Sequence, residues 1–507
     1  MQLELDLGNP GYTLLHRAGL AGLWMTLKQL AKEKVTPPGT FQWQLNHRQV
    51  ILNWEGQDLE VLHWLLQESF QVADGLIALR GLDSKTMRPD SQVIAHQGVL
   101  GTFLQHTSTH KAAGTETKAF ELEPEKPPII VTYKFLSSYV YQEFAKSLCD
   151  QKGSLLKTPI TVAGWLNPGA SVRHIAFSSN TSFEELAENA LLLLFAPVAC
   201  YYFLLRSKLR DKRSQYALVI PEVINLEQYA RYRQDSHLRA ASYKDFFASG
   251  LGDAGLRFLT YKTTVELAQT FGLKRCQIIT LGTVAWASQQ KTRTDVCVVE
   301  ANEAICENYR LCCNWFSDRV IPAKDGSFVA SSFAREFIAE NLAMNQPWYA
   351  GLAGKINSNE LFEKLNYERR GLYEMVKHAE YDERDKLFVQ TCHEAIKFTY
   401  GRISKNTKPG ENLNFERATI RIRTKLSRCK SAETFREFIA DFWSRAGMLP
   451  TLQQHWLELM SLVNSQQEWK KARDLALLAL ASYKRDENGE DKTGEDDELI
   501  DIDIAEI

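Results

Sequence analysis

The clearest candidate for chemistry in this sequence is a short basic segment, residues 415–430 (FERATIRIRTKLSRCK). Its apolar side chains recur at helical spacing and predict a helix with one buried face: Phe415, Ala418, Ile422, Leu426 and Cys429. Six cations fall on the remaining surface, with no acid between 417 and 430: Arg417, Arg421, Arg423, Lys425, Arg428 and Lys430. Such a surface predicts contact with a polyanion, namely the phosphates of a nucleic-acid strand.

A solvated helix surface is the alternative interpretation of this segment, and most runs of charge have that role. Charged helix surfaces usually pair each cation with a carboxylate four residues away, which lowers their net charge. The segment offers no such partner within 417–430. The pattern therefore favours nucleic-acid contact, although the solvated surface stays open as an alternative.

The common catalytic signatures are absent from the sequence. Gly351–Lys355 (GLAGK) resembles a phosphate-binding loop, but its glycine spacing is wrong and Ile356 follows the lysine. There is no H-E-x-x-H zinc motif and no G-x-S-x-G nucleophile motif, and the eleven histidines are dispersed. We therefore predict a binding protein without enzymatic activity, metal or cofactor. A catalytic site assembled from distant residues is the alternative.

The formal charge of −2 conceals an uneven distribution of charge along the chain. Residues 486–507 contain eleven acids and one lysine, a composition that predicts disorder. Without them, 59 basic and 51 acidic residues leave the rest of the chain at +8. Nine cysteines without a CxxC pair, and a start without signal-peptide features, predict a cytoplasmic protein. The apolar run 190–205 is shorter than the roughly twenty residues of a membrane span and predicts a buried core helix.

The sequence changes character near residue 340, which predicts an α+β N-terminal region followed by an all-α C-terminal helical bundle. The predicted domains are 1–340, 341–485 and the acidic tail 486–507. Before the change, Phe41–Trp54 alternates like a hairpin, Gly98–Lys118 has the composition of a mobile loop, and Ile129–Phe135 has that of a strand. After it, amphipathic periods predict helices over 359–379, 382–404, 413–430, 431–446, 450–466 and 468–484.

Several short motifs in this order resemble those of a known family. They are Phe103-Leu104-Gln105-His106, the segment 167–174 (NPGASVRH) and the segment 216–222 (YALVIPE), followed by the helical bundle. Together they resemble the large subunit of a type I CRISPR Cascade, in particular its compact MYXAN variety. The resemblance spans about residues 1–485 and leaves the acidic tail outside.

The resemblance implies a non-catalytic subunit of an RNA-guided DNA-targeting complex. Such a subunit recognises a protospacer-adjacent motif in duplex DNA, helps to open the duplex and stabilises the R-loop. The implied partners are Cascade subunits with their guide RNA, double-stranded target DNA and displaced single-stranded DNA, with no membrane. In several such systems the bundle is also made as a separate polypeptide, here beginning near Met344. Antiviral DNA degradation and guided transposition are both compatible with the sequence.

Two further groups of polar side chains are predicted to contact DNA. The donors predicted to read the motif come from the loop 105–118 and the turn 167–174: Gln105, His106, His110, Lys111, Asn167, Arg173 and His174. A cluster predicted to bind phosphate without reading sequence follows the core helix: Arg206, Lys208, Arg210, Lys212 and Arg213. The alternative functions are a nucleic-acid-processing enzyme and a helical scaffold with an incidental basic surface.

Overall fold

A computed structural model describes residues 1–168, 183–205, 215–235, 239, 241–260, 274–281, 283–286, 289–292, 295–406 and 415–484. Contacts divide the chain into two compact units. The first comprises Met1–Cys306 and Asp318–Ser331, and the second comprises Glu307–Ser317 and the chain from Ser332 onward. The first unit mixes helices and sheets, and a run of helices extends from Leu352 to Ser482. This confirms the predicted fold class.

The first unit contains helices throughout its length. They are α1 (Leu14–Lys32), α2 (Asp58–Ser69), α3 (Pro89–Thr102), α4 (Ala145–Leu148), α5 (Ala187–Ala199), α6 (Leu226–Arg233) and α7 (Leu251–Thr260). The next helix, α8 (Glu303–Trp315), crosses the division between the units. Thr13 caps α1 by accepting a hydrogen bond from the backbone N–H of His16, which fixes where that helix begins.

The strands of the first unit form small sheets and one larger sheet. They are β1 (Gln2–Asp6), β2 (Gln42–Leu45), β3 (Gln49–Asn53), β4 (Phe70–Ala73), β5 (Leu76–Leu79), β6 (His110–Phe120), β7 (Ile129–Tyr139), β8 (Ile160–Thr161), β9 (Glu184–Glu185), β10 (Tyr201–Leu205), β11 (Gln215–Pro221), β12 (Phe247–Ala248), β13 (Arg275–Leu281), β14 (Thr283–Trp286), β15 (Gln289–Thr292), β16 (Val296–Glu300), β17 (Arg319–Ala323) and β18 (Gly326–Ala330). The larger sheet has the order β12-β10-β11-β13-β16, and β2 and β3 form the predicted hairpin.

Helices α1 and α5 form the buried centre of the first unit. A Cβ atom at Gly19 would lie 2.0 Å from the carbonyl oxygen of Leu192, and one at Gly22 would lie 2.0 Å from that of Phe195. Glycine is therefore required at both positions, because any side chain would push the helices apart. The predicted core helix 190–205 is correct only to Ala199, since the chain then continues as β10 and pairs with β11.

Strands β6 and β7 form a two-stranded antiparallel ribbon of eleven residues each. The predicted mobile loop 98–118 is wrong, because α3 and β6 occupy most of that segment. Most side chains of β6 are exposed on both of its faces, so the strand has no alternation of apolar and polar residues to reveal it. Its backbone hydrogen bonds with β7 supply the order that the composition does not indicate.

The second unit consists mainly of helices joined by short connections. They are α9 (Phe333–Ala343), α10 (Leu352–Lys355), α11 (Asn359–Tyr367), α12 (Arg369–His378), α13 (Glu383–Asn406), α14 (Phe415–Arg428), α15 (Ala432–Ala446), α16 (Pro450–Gln454), α17 (Trp456–Asn464) and α18 (Trp469–Ser482). The predicted helices are confirmed, except that 359–379 divides at Glu368 and 450–466 divides at His455. The predicted boundary at 340/341 falls within α9.

Helix α18 lies at the centre of the second unit and packs against α12, α13, α14, α15 and α17. Nearly all its side chains from Ala472 to Ser482 are buried, including Asp474. The Asp474 carboxylate accepts hydrogen bonds from the backbone N–H groups of Gly351 and Ala353, at 2.8 and 2.9 Å. These bonds compensate for the burial of a charged group and attach α10 to the bundle. The packing fixes which face of each surrounding helix is exposed.

Candidate nucleic-acid interface

Helix α14 has the buried and exposed faces that its sequence predicts. Ile422, Leu426 and Cys429 are buried, and Phe415 and Ala418 are half-buried. Four of the predicted strand-binding cations are exposed: Arg417, Arg421, Arg428 and Lys430. Since the apolar face fixes the rotation of the helix in the bundle, these cations face away from the core. Their arrangement suits a contact with successive phosphates.

Arg423 differs from the other cations of this helix because it lies in the interior of the unit. Its side chain is only 7% exposed. The guanidinium donates hydrogen bonds to the carbonyl oxygen of Ile356, at 3.2 Å, and to the side-chain oxygen of Asn359. Burial lowers the pKa of the Arg423 guanidinium from its ordinary value. In this position Arg423 links α14 to α11, so its predicted contact with a strand does not fit the structure.

Lys425 pairs with an acidic residue of the next helix, Asp441, since its own helix has no carboxylate near it. Its ammonium lies 3.6 Å from a carboxylate oxygen of Asp441 in α15. Asp441 also pairs with Arg445 one turn further along its own helix, at 2.6 Å. One carboxylate is therefore shared by two cations, which leaves the surface with a net positive charge. Lys425 contributes less to that charge than the exposed arginines do.

The predicted motif-reading residues at positions 105–111 lie at and before the start of the ribbon. Gln105 is half-buried, and its amide donates a hydrogen bond to the carbonyl oxygen of Gly101, at 2.7 Å. His106 is exposed and caps a short turn through Ser108. Lys111 is exposed on β6. Of these three side chains, Lys111 is the one directed into solvent without a structural hydrogen bond within the described part of the chain.

His110 is 8% exposed and contacts a cation that sequence analysis missed. The Lys134 ammonium lies 3.0 Å from His110 Nε2, which accepts its hydrogen bond. Burial, together with Lys134, lowers the pKa of His110. His110 is thus a neutral acceptor that positions Lys134 on β7, and its ring does not fit the predicted role of a hydrogen-bond donor that reads the motif. The alternation of β7, which exposes Ile130, Thr132 and Lys134, is the signal that could have identified this lysine.

The remaining predicted residues of the first unit are only partly described. Asn167 is half-buried. No hydrogen bond, ion pair or ring contact joins residues 160–168 to residues 105–118 within the described ranges. The following predicted residues lie outside the described residues: Arg173, His174, Arg206, Lys208, Arg210, Lys212 and Arg213. The acidic tail 486–507 also lies outside them.

The described part of the chain offers neither a metal site nor a membrane span. No group of three or more His, Cys, Asp or Glu side chains in the described ranges is placed to hold a metal ion. Among the helices described, none is long and apolar enough to cross a membrane. The candidate nucleic-acid surfaces are the exposed cations of α14 and the β6–β7 ribbon with Lys111 and Lys134.

Comparison with known proteins identifies the family. The DevT N-terminal domain matches residues 4–194, and the DevT C-terminal domain matches residues 377–505. The CRISPR-associated protein Cas8a1/Csx13 of Myxococcus xanthus (strain DK1622) is 30% identical over 550 residues, which cover 99% of this chain and 91% of that protein.

These matches identify the chain as a large subunit of a CRISPR Cascade complex, as the sequence motifs predicted. It belongs to the Cas8a1/Csx13 family of MYXAN-type Cas8 proteins. Subunits of this type are generally non-catalytic and work with other Cascade components and nucleic acids.

Proposed function

We propose that this subunit recognises a protospacer-adjacent motif and that its helical unit stabilises the R-loop. The observation that supports the R-loop role most directly is the exposed row of Arg417, Arg421 and Arg428 on a helix whose opposite face is buried. A rigid row of cations positions phosphates without reading bases. The proposed partners are guide-RNA-containing Cascade subunits, duplex target DNA and the displaced single strand.

The ribbon is the proposed motif reader of the first unit. A two-stranded β-ribbon is narrow enough to enter a DNA groove, where side chains reach base edges. Lys111 and Lys134 lie on separate strands of this ribbon, and both are exposed. Gln105, His106, Asn167, Arg173 and His174 stay proposed members of the motif-reading group. The segment 206–213 stays a proposed phosphate contact, because five cations lie within eight residues.

The strand-binding role is tested by the salt dependence of single-stranded DNA binding to the full chain. Replacing Arg417, Arg421 and Arg428 by Gln should lower affinity for all sequences alike. Each lost phosphate contact should reduce the slope of log affinity against log salt by about 0.7. Lys386→Gln is a matched control, because Lys386 is a cation of the same unit that pairs with Glu383 at 3.3 Å. An unchanged slope in the triple variant would contradict the proposal.

The motif-reading role is tested in the assembled complex with a library of duplexes that vary at the motif. The triple variant of Gln105, Lys111 and Asn167 to Ala should bind correct and incorrect motifs with more similar affinities, as should Lys134→Ala. Lys146→Ala is the control, since this exposed lysine lies on α4 and pairs with Glu143 at 3.1 Å. If motif discrimination stays at the wild-type level in both test variants, another surface reads the motif.

The helical unit is also proposed to occur as separately translated copies that begin near Met344. Met344 is exposed and lies directly after α9. Such copies would lack Asn308, whose side chain exchanges hydrogen bonds with the backbone of Glu380 at 2.8 and 2.7 Å. We therefore expect them to be less stable than the unit within the full chain. Native mass spectrometry of the complex should detect a polypeptide of the bundle's size, and full-length chain alone would reject separate copies.

A further inference from the structure

The second unit contains an open cleft of about 550 Å³, to which α14 contributes Glu416 and Ile420, the neighbours in sequence of Arg417 and Arg421. We call it the aromatic cleft. Its walls come from α11, the start of α12, α13, α14 and the residue that follows α18. The side chains that define its chemistry are Glu363, Tyr367, Arg369, Tyr400, Phe415 and Glu416. Its volume lies within the roughly 300–1,000 Å³ of sites for small organic groups.

Aromatic rings form much of the wall of this cleft. The Tyr400 ring lies 5.2 Å from the Phe415 ring and 5.4 Å from the Tyr483 ring, centroid to centroid. The Tyr400 hydroxyl also hydrogen-bonds to Thr419 of α14, which holds the ring in place. Tyr367 is different, because its side chain is 73% exposed at the cleft. An exposed aromatic ring beside a cationic helix is typical of surfaces on which unpaired bases stack.

The polar groups of the cleft favour a base over a phosphate. Arg369 is half-buried, and its Nε donates to the Asn366 side-chain oxygen at 3.0 Å. No carboxylate in the described part of the chain pairs with it, and burial lowers the pKa of its guanidinium. Glu363 and Glu416 line the same cleft and are exposed. Two carboxylates repel a phosphate, whereas carboxylates and a guanidinium together can hydrogen-bond to a base edge.

We infer that the aromatic cleft binds one unpaired base of the displaced strand, and that the base is guanine. This inference rests on the proposed strand-binding function, because Arg417 and Arg421 would hold the phosphates on either side. Guanine presents the O6 and N7 acceptors that suit Arg369 and an exocyclic amino group that suits Glu363 or Glu416. Thymine lacks the amino donor, and adenine offers one acceptor fewer to the guanidinium.

The test measures binding of the full chain to two single-stranded oligothymidines. One contains a single central guanine, and the other has an abasic site at the same position. We expect the guanine strand to bind roughly tenfold more tightly, within the range of base–aromatic stacking. Tyr367→Ala and Arg369→Gln should each remove most of this advantage and leave affinity for the abasic strand unchanged. Tyr367 is exposed, so its variant should retain the fold, which a melting curve verifies.

Two further variants separate the inference from the proposed function. Trp456→Ala is the matched control, since Trp456 is an exposed aromatic residue of the same unit that does not line the cleft. It should keep the full guanine advantage. Arg417→Gln with Arg421→Gln should weaken both strands equally. Equal affinity of the wild-type chain for the guanine and abasic strands would overturn the guanine site while phosphate binding stands. Salt-independent or absent binding of both strands would overturn the proposed function as well.

Discussion

The two candidate surfaces of this protein differ in how their cations are brought together. On α14 one segment of fourteen residues supplies the whole row, and helical geometry alone aligns it. In the first unit, Lys111 and Lys134 come from β6 and β7, and pairing of those strands brings them to one ribbon. A surface made by one helix is visible in local sequence, whereas a surface made by two strands depends on their register.

The same contrast appears between neighbouring positions of α14. Arg421 is exposed, and Arg423 is buried against α11. The sequence places them two residues apart on one helix, with the same charge. The positions of Ile356 and Asn359 decide which cation is structural. Charge composition therefore overestimates the surface available to a nucleic acid.

The largest expected effect concerns close packing, which the first unit needs at its centre. Gly22→Val should destabilise that unit by more than about 3 kcal/mol, because the new side chain would meet the carbonyl oxygen of Phe195. Gly401→Ala in α13 is the contrasting variant, since a Cβ atom added at Gly401 would have no atom within 4 Å among the described residues. It should be neutral or stabilise the second unit by up to about 1 kcal/mol. Denaturant unfolding, followed with a probe in each unit, measures the free energy of unfolding of both variants. Equal changes in the two variants would contradict the expected difference between the close-packed and the open glycine.

A second prediction concerns the pH dependence of the first unit. His96 is fully buried; its Nδ1 accepts a hydrogen bond from Ile77 N–H at 3.0 Å, and its Nε2 donates to the Lys134 carbonyl at 2.8 Å. Burial lowers the pKa of His96 to about 4. In the unfolded chain this histidine binds a proton near pH 6.5. The stability that neutral His96 contributes to the folded unit is therefore fully present above pH 6.5 and is lost as pH falls to about 4.

The full loss should be roughly 3 kcal/mol at the acidic end of that range. His96→Gln should lower stability near neutral pH and flatten its dependence on pH between those values. Free energies of unfolding measured at several pH values test this expectation. A wild-type slope that persists in the variant would assign the acid sensitivity to other groups, such as His110 or, in the second unit, His393.

The smallest effects distinguish Arg421 from Arg423 in α14. Arg423→Met should lower the stability of the second unit by about 2 kcal/mol, because the Ile356 carbonyl and the Asn359 side chain lose their buried donor. It should not change the salt dependence of strand binding. Arg421→Gln should leave stability within about 0.5 kcal/mol of wild type and weaken single-stranded DNA binding. Reversed results would show that the helix is rotated differently from the arrangement described above.

Much of the fold was predictable wherever one segment specifies its own structure. Helix α1 is one such segment, because Leu20, Leu23, Leu27 and Leu30 recur at helical spacing and the small residues Gly19 and Gly22 allow close packing. The hairpin 41–54 was predictable from the alternation of apolar and polar residues, and the helices of the bundle from the helical spacing of apolar residues. The predictions failed at β6, whose exposed faces give no period, and at β10, whose apolar sequence suits a buried helix equally well.

By itself, the sequence determined the family, the order of a mixed region and a helical region, and the amphipathic character of α14. These properties depend on the order of motifs and on the periodicity of apolar residues within single segments. They can therefore be predicted without knowing which other segments pack against them. The tertiary structure alone decided that Arg423 is buried, that Lys425 meets Asp441 and that Lys134 lies beside His110. Each of these contacts joins residues from separate elements. Local spacing contains no information about which elements pack together, and that packing determines which charges remain exposed.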